Sequence, residues 1–190
     1  SHAKVVGHVG SFGTPKNHSF IVDVAREVCR RDPSVRFLLV GEGPLRTSIE
    51  RKIRQTGLGG SVVLVGQRAD VARLMRGAMD AFVLPSLFEG LPLVLLEAQA
   101  AGLPCVVSTA VSDEADVVES LVRRLALSQG ASAWADQLLE ILSRASAGGG
   151  RDNSSALSVL RGSSFDGLRS AQCVENLYWR RYCESVSLSS

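Results

Sequence analysis

The strongest constraint on this chain is a series of short, almost uninterrupted apolar runs, each closed by glycine or a small polar residue. They are "AKVVGHVG" (3–10), "VRFLLVGEG" (35–43), "SVVLVGQ" (61–67), "DAFVLPS" (80–86) and "LPCVVST" (103–109). A strand with one wet face alternates apolar and polar residues, whereas a continuous apolar run needs cover on both faces, as in a parallel sheet. Helical patterns fill the intervals. "KNHSFIVDVAREVCRRD" (16–32) spaces Phe20, Val24 and Val28 on one stripe, "LRTSIERKIRQTG" (45–57) does so with Leu45, Ile49 and Ile53, and "DVARLMRGA" (70–78) is a short third helix. Strand–helix alternation with crossovers of this length predicts an α/β fold, a doubly wound, mostly parallel Rossmann-like sheet with helices on both faces.

Further on, "SLVRRLAL" (120–127) is expected to be a sixth strand and "ASAWADQLLEILSRA" (131–145) an amphipathic helix. The Gly/Ser-rich stretch 146–155 reads as a flexible loop. Residues 165–186 read as a terminal helix with Leu168, Cys173 or Ala171, Leu177 and Tyr178 turned inward. The 190 residues suit one domain, 1–190, with a single core and are too few for two ordinary ones.

Composition removes several function classes. A net charge of +2 sets up no strong field, and no basic stripe interleaved with aromatics invites nucleic acid. Cys29, Cys105, Cys173 and Cys183 lack paired C-x-x-C spacing, so a zinc site is not expected and free thiols fit better than a disulfide framework. No apolar run reaches the roughly 20 residues of a membrane span, and no secretory leader pattern precedes the first strand. The expected location is the cytoplasm.

Ligands of an open parallel sheet bind beyond the carboxyl ends of its strands. The stretch following strand four, "FEGLPLVLLEAQAAGLP" (88–104), is the most informative there. Pro92 suits a first helical position and Gly102 with Pro104 an ending, so a helix is expected from about residue 91. Its free N–H groups and positive dipole end would face a ligand, and helix starts of this kind accept phosphate. Gly90 would let a ligand approach the backbone closely. Glu89 at the mouth and Glu97 two turns in would be repelled by phosphate, so they suit neutral hydroxyls such as those of a sugar or a ribose. The alternatives are an ordinary dipole residue at 89 and a partly exposed helix residue at 97.

These residues carry a resemblance. Glu89-Gly90-Leu91-Pro92 to Glu97 resembles the E-x7-E signature of the family 4 retaining glycosyltransferases of the GT-B fold. "HVGSFGTPKNH" (8–18) resembles the phosphate loop of that family, and "LVGEGPLR", "VVLVGQRADV" and "FDGLRSAQCVENLY" match in order, most closely in the capsule and exopolysaccharide branch. The resemblance implies one half of a GT-B enzyme, the C-terminal donor-binding domain, with the N-terminal acceptor domain absent and the 165–186 helix crossing back toward it. It implies a nucleotide-sugar donor, UDP-linked, no cofactor, no metal, and a parent protein at the inner face of the cell membrane.

By position, the resemblance places Glu97 on the ribose hydroxyls and Glu89 on the donor sugar. It places the Gly90 and Leu91 amides on the distal phosphate, and Lys16, with Gly10 and Ser11, in the phosphate loop. Glu89 and Lys16 are the candidate catalytic residues, and Arg68 is a weaker candidate for lining the base. Asn17 and His18 match the family but are expected to shape a helix start.

One departure matters: the family arginine of the phosphate loop falls at Ser11, which has no charged fork to offer a diphosphate. A non-catalytic nucleotide-sugar binder or scaffold is therefore the alternative function. A nicotinamide-dependent dehydrogenase fits the fold but not the loop, since "GSFGTP" lacks G-x-G-x-x-G and only Glu42 stands where the ribose acid would.

Overall fold

A computed structural model describes residues 3–145 and 154–165. The strands are β1 (Val5–Val9), β2 (Arg36–Val40), β3 (Val62–Leu64), β4 (Ala81–Leu84), β5 (Cys105–Ser108) and β6 (Val122–Leu125). They form one sheet in the order β3-β2-β1-β4-β5-β6, and every pairing is parallel. The helices are α1 (His18–Arg31), α2 (Arg46–Gln55), α3 (Val71–Ala78), α4 (Leu93–Ala100), α5 (Gly130–Ala145) and α6 (Ser154–Arg161).

Successive strand residues point to opposite faces, and here both faces are filled. Val6, Phe37, Leu39, Ala81, Val83 and Val106 meet the buried stripes of α1, α2 and α5. Val40, Phe82, Leu84, Cys105 and Val107 meet Met75 of α3 and Leu95 and Ala98 of α4. β4 and β5 are buried at every position, which is why they read as unbroken apolar segments. The outer strands differ: Val63 of β3 is 47% exposed and β6 carries two arginines.

Two expectations change. α4 begins at Leu93, not near 91, and Pro92 is its N-cap with ψ 89°, outside the helical range. A residue before proline is pushed away from helical geometry, and the chain ahead is drawn into extended pairing, with Glu89 bridged in parallel to Val111. Ser154 and Ser155, expected at the end of the 146–155 loop, belong instead to α6, which buries Ala156 and packs on α4. The remainder of that loop, 146–153, and the helix expected after residue 165 lie outside the described residues. Among the described residues no helix is long and apolar enough to cross a membrane.

The loops beyond β1, β2 and β3 are stitched together through backbone. Phe12 N–H donates to the Glu42 carbonyl (2.8 Å), Leu45 N–H to the Phe12 carbonyl (2.9 Å) and Gly41 N–H to the Gly66 carbonyl (2.9 Å). Closeness dictates glycine here. A Cβ on Gly41, whose φ is +141°, would stand 2.0 Å from the Gly10 carbonyl oxygen, and one on Gly43 would stand 2.6 Å from that of Phe12. Gly41→Ala is expected to cost about 3 kcal/mol or more, as backbone strain and a clash combine. Gly57→Ala, with positive φ but nothing within 4 Å, should cost about 1 kcal/mol. Urea unfolding of both variants tests this; equal losses would refute the close-approach argument.

Candidate functional site

β1 and β4 are neighbours in space although their following helices, α1 and α4, lie in opposite layers. The strand order reverses between them, and ligands of such sheets bind in the crevice beyond the carboxyl ends of the strands at a reversal of this kind. The loop after β1 turns through Thr14–Lys16 in a 3-10 turn, and Asn17 in left-handed geometry (φ 54°) leads into α1. It is fastened to the β4 loop by Leu87 N–H to the Pro15 carbonyl (2.8 Å) and by Asn17 Nδ2 to the Pro85 carbonyl (3.2 Å).

Lys16 and Glu89 meet across this junction. Lys16 Nζ lies 2.6 Å from Glu89 Oε2, and the two side chains are only 17% and 14% exposed. Glu89 Oε1 accepts from Ser86 Oγ. Among the described residues the bond to Glu89 is the one hydrogen bond of the Lys16 ammonium, which has three donors. The cation is thus held in place with donor capacity beyond that bond.

Beneath Lys16 is a neutral layer. A Cβ on Gly10 would stand 3.0 Å from Lys16 Cε and 3.1 Å from His8 Nε2, so this glycine lets the lysine stem lie over the end of β1. His8, fully buried, bonds through Nδ1 to the Val83 carbonyl (2.9 Å). His18 stands edge-on to it at 4.7 Å and tilts against Phe12 at 4.3 Å. Burial is the main force pushing His8 down to about 4; Lys16 adds to it, and the Val83 bond works against it. Burial, then His8, then Lys16 push His18 down to about 3. Both imidazoles are neutral at neutral pH, so the charge at this junction belongs to Lys16 and Glu89.

The backbone of Glu89 is held from the other side. Ser112 N–H donates to the Glu89 carbonyl (3.0 Å), and the segment 108–118 is gripped by Arg124 of β6 and Gln99 of α4. Gln99 is fully buried, donating to the Ala115 carbonyl (2.6 Å) and accepting from Val118 N–H (2.7 Å).

Of the residues expected from sequence, Gly10, Lys16 and Glu89 come together, with Gly90 and Leu91 exposed beside them. Ser11 is exposed on the same loop, and Glu97 is exposed on α4. Asn17 and His18 shape the start of α1, as expected. Arg68 stands apart. It follows edge strand β3, two strands from β1, or roughly 10 Å at ordinary strand spacing. Its guanidinium is occupied by both Asp70 oxygens, at 2.8 and 3.0 Å. Ser86, Gln99 and Arg124 were not singled out by sequence, though a glutamine inside the apolar run "LVLLEAQAAGL" was a readable sign. Among the described residues no three His, Cys, Asp or Glu side chains gather as metal ligands would.

Residues 3–144 match the profile of the family described as "Glycosyl transferases group 1". EpsF of Bacillus subtilis (strain 168), provisionally named a glycosyltransferase, is 37% identical over 174 residues, covering 92% of this chain and 44% of EpsF. A Vi polysaccharide biosynthesis protein of Salmonella typhi, VipC/TviE, is 37% identical over 111 residues, covering 58% of this chain and 19% of that protein. The crystal structure of Anabaena Alr3699/HepE in complex with UDP superposes with a TM-score of 0.75 at 22% identity, covering 93% of this chain and 49% of that one; this likeness bears on the fold. The chain therefore spans less than half the length of these relatives.

The histidine layer has a thermodynamic consequence. Unfolded imidazoles titrate near 6.5, folded His8 near 4 and His18 near 3. Between these values the unfolded chain binds protons that the folded chain does not. The stability from this source is complete above about pH 6.5 and is lost as pH falls toward 4, by up to about 1.4 kcal/mol per pH unit for each histidine. Urea midpoints between pH 7 and 5 should fall less steeply in His18→Leu than in the parent chain. An identical slope in the two would rule this out.

Proposed function

The chain belongs to the group 1 glycosyltransferases, and from that premise we propose that it is the donor-binding domain of a retaining enzyme that uses a UDP-linked sugar in surface polysaccharide biosynthesis. The observation that carries the reading is the Lys16–Glu89 pair at the point where strand order reverses. A cation fixed at the crevice suits a diphosphate, and a carboxylate beside it suits sugar hydroxyls. The UDP in the HepE structure and the polysaccharide named for the Salmonella relative support the choice of donor and product class.

On this reading the diphosphate lies over the β1 loop, with Lys16 and the N–H groups at the start of α4 facing it. Glu97, exposed on α4, takes the ribose hydroxyls, Glu89 faces the sugar, and the Gly90 and Leu91 amides face the distal phosphate. Transfer breaks the bond from the anomeric carbon to the phosphate oxygen, leaving the electron pair on the diphosphate. Lys16 meets that growing charge, the kind of fixed electrostatic contact that lowers a barrier most. No metal is needed for this role. The acceptor and its half of the cleft belong to the longer protein, which this reading puts in the cytoplasm against the inner face of the membrane. The present chain binds donor without efficient turnover.

Ser11 favours a second reading, a nucleotide-sugar binder that no longer catalyses, because it stands where the resemblance calls for arginine. Calorimetric titration of UDP separates the two. The parent chain should bind UDP, Lys16→Met and Glu97→Ala should each weaken binding tenfold or more, and Ser11→Arg should tighten it more than tenfold, the worth of one charge-assisted contact of about 1.5 kcal/mol. A UDP affinity untouched by Lys16→Met, with Ser11→Arg also neutral, favours the second reading. No binding by folded parent chain would overturn both.

A further inference from the structure

Arg124 is the most fully engaged polar side chain near the site. A guanidinium has five N–H donors, and all five are in use. Nε donates to Asp116 Oδ2 (2.6 Å), Nη1 to the Val111 carbonyl (2.6 Å) and the Ser108 carbonyl (3.3 Å), and Nη2 to the Ser112 carbonyl (2.8 Å) and Asp116 Oδ1 (2.9 Å). With Thr109, Ala110, Val111, Ser112 and Asp113 it lines an open recess of about 390 Å³. The recess looks like an anion site, but Arg124 has no donor left for an anion.

What the guanidinium holds is the backbone that holds Glu89. The carbonyls of Val111 and Ser112 point to Arg124, while the Ser112 amide donates to the Glu89 carbonyl and Val111 bridges Glu89 in parallel. Asp116 fixes the fork in turn, the two side chains being 20% and 17% exposed. We propose that Arg124 is a positioning residue that sets Glu89 against the donor sugar through residues 111–112, a role that rests on the reading of Glu89 given above.

Position 124 lies on an edge strand, where one arginine more or less would ordinarily matter little. Here each donor direction is assigned, and the planar fork cannot be reproduced by a lysine, whose ammonium offers three donors from one point. Losing the fork removes its bonds to three carbonyls, those of Ser108, Val111 and Ser112, and loosens the amide contact to Glu89. The β1 loop keeps its backbone bonds to the loop after β2 (Phe12 with Glu42 and Leu45) and its ties to Pro85 and Leu87, so the Lys16 stem stays over the end of β1 while its partner Glu89 is loosened.

The test uses the whole chain with Arg124→Met and Arg124→Lys; the lysine keeps a cation beside Asp116 and guards against simple unfolding. In both variants the Ser112 amide should exchange hydrogen at least tenfold faster, with amides of β4 unchanged. Affinity for the tightest binder among UDP-glucose, UDP-galactose and UDP-N-acetylglucosamine should fall about tenfold, with affinity for UDP within twofold of the parent. On a Glu89→Gln background the substitution should cost no further affinity. A merely structural arginine would weaken UDP and UDP-sugar alike. That result, an unchanged Ser112 exchange rate, or the full penalty persisting on Glu89→Gln would each overturn the proposal. Should the parent chain bind no UDP, or should the sugar add nothing to UDP, the function reading fails on that point and the Ser112 exchange rate alone decides for or against Arg124.

Discussion

The pairing of β1 with β4 is the constraint on which the rest of this molecule depends. Val6 and Gly7 pair with Ala81 and Phe82, joining segments far apart in sequence. Chain leaving β1 goes to one layer of helices and chain leaving β4 to the other. The divergence opens a gap that a sheet wound in one direction would not have. Lys16 and Glu89 are the groups that face each other across it, along with two hydrogen bonds between the loops themselves.

The surroundings of that pair are arranged to leave it the local charge. His8 and His18 lie directly beneath and are kept neutral by burial, with Lys16 opposing their protonation. Neutral imidazoles can pack against a lysine stem where a second cation would repel it. The ion pair is largely sheltered from water, so its attraction is screened less than that of pairs such as Arg68–Asp70 on the rim.

Much of the fold was legible because burial on two faces leaves a strong mark. Strands β4 and β5 announce themselves by having no polar interior residue, and the stripes of α1 and α2 follow the helical period. Lys16 and Glu89 were found through spacing and resemblance, not through any local property of either residue. The start of α4 was misplaced because Pro92 is compatible with a first turn, whereas a tertiary contact, the pairing of Glu89 with Val111, decides the matter. Arg68 was read as an arginine after a strand, and the position of β3 at the sheet edge, invisible in sequence, puts it two strands from β1 and pairs it with Asp70. Arg124 escaped for the opposite reason: an arginine in a strand reads as a solvated edge residue until its five partners are seen.

The crevice is bounded by two brackets made from different materials. On the β1–β2–β3 side the loops are joined main chain to main chain, with glycines where atoms come too close for a Cβ. On the β4–β5–β6 side the joints are side chains, Gln99 and Arg124, reaching carbonyls and amides of another segment. The two brackets therefore differ in how they can evolve. The first rests on main-chain bonds and glycines, so its exposed side chains, Ser11 among them, can change one at a time, whereas its buried Phe12 cannot. The second changes less easily, because Arg124 and Asp116 enclose the turn together and replacing either leaves the other's bonds unmade. Diversification of such a domain should thus be gradual on one wall of its cleft and abrupt on the other.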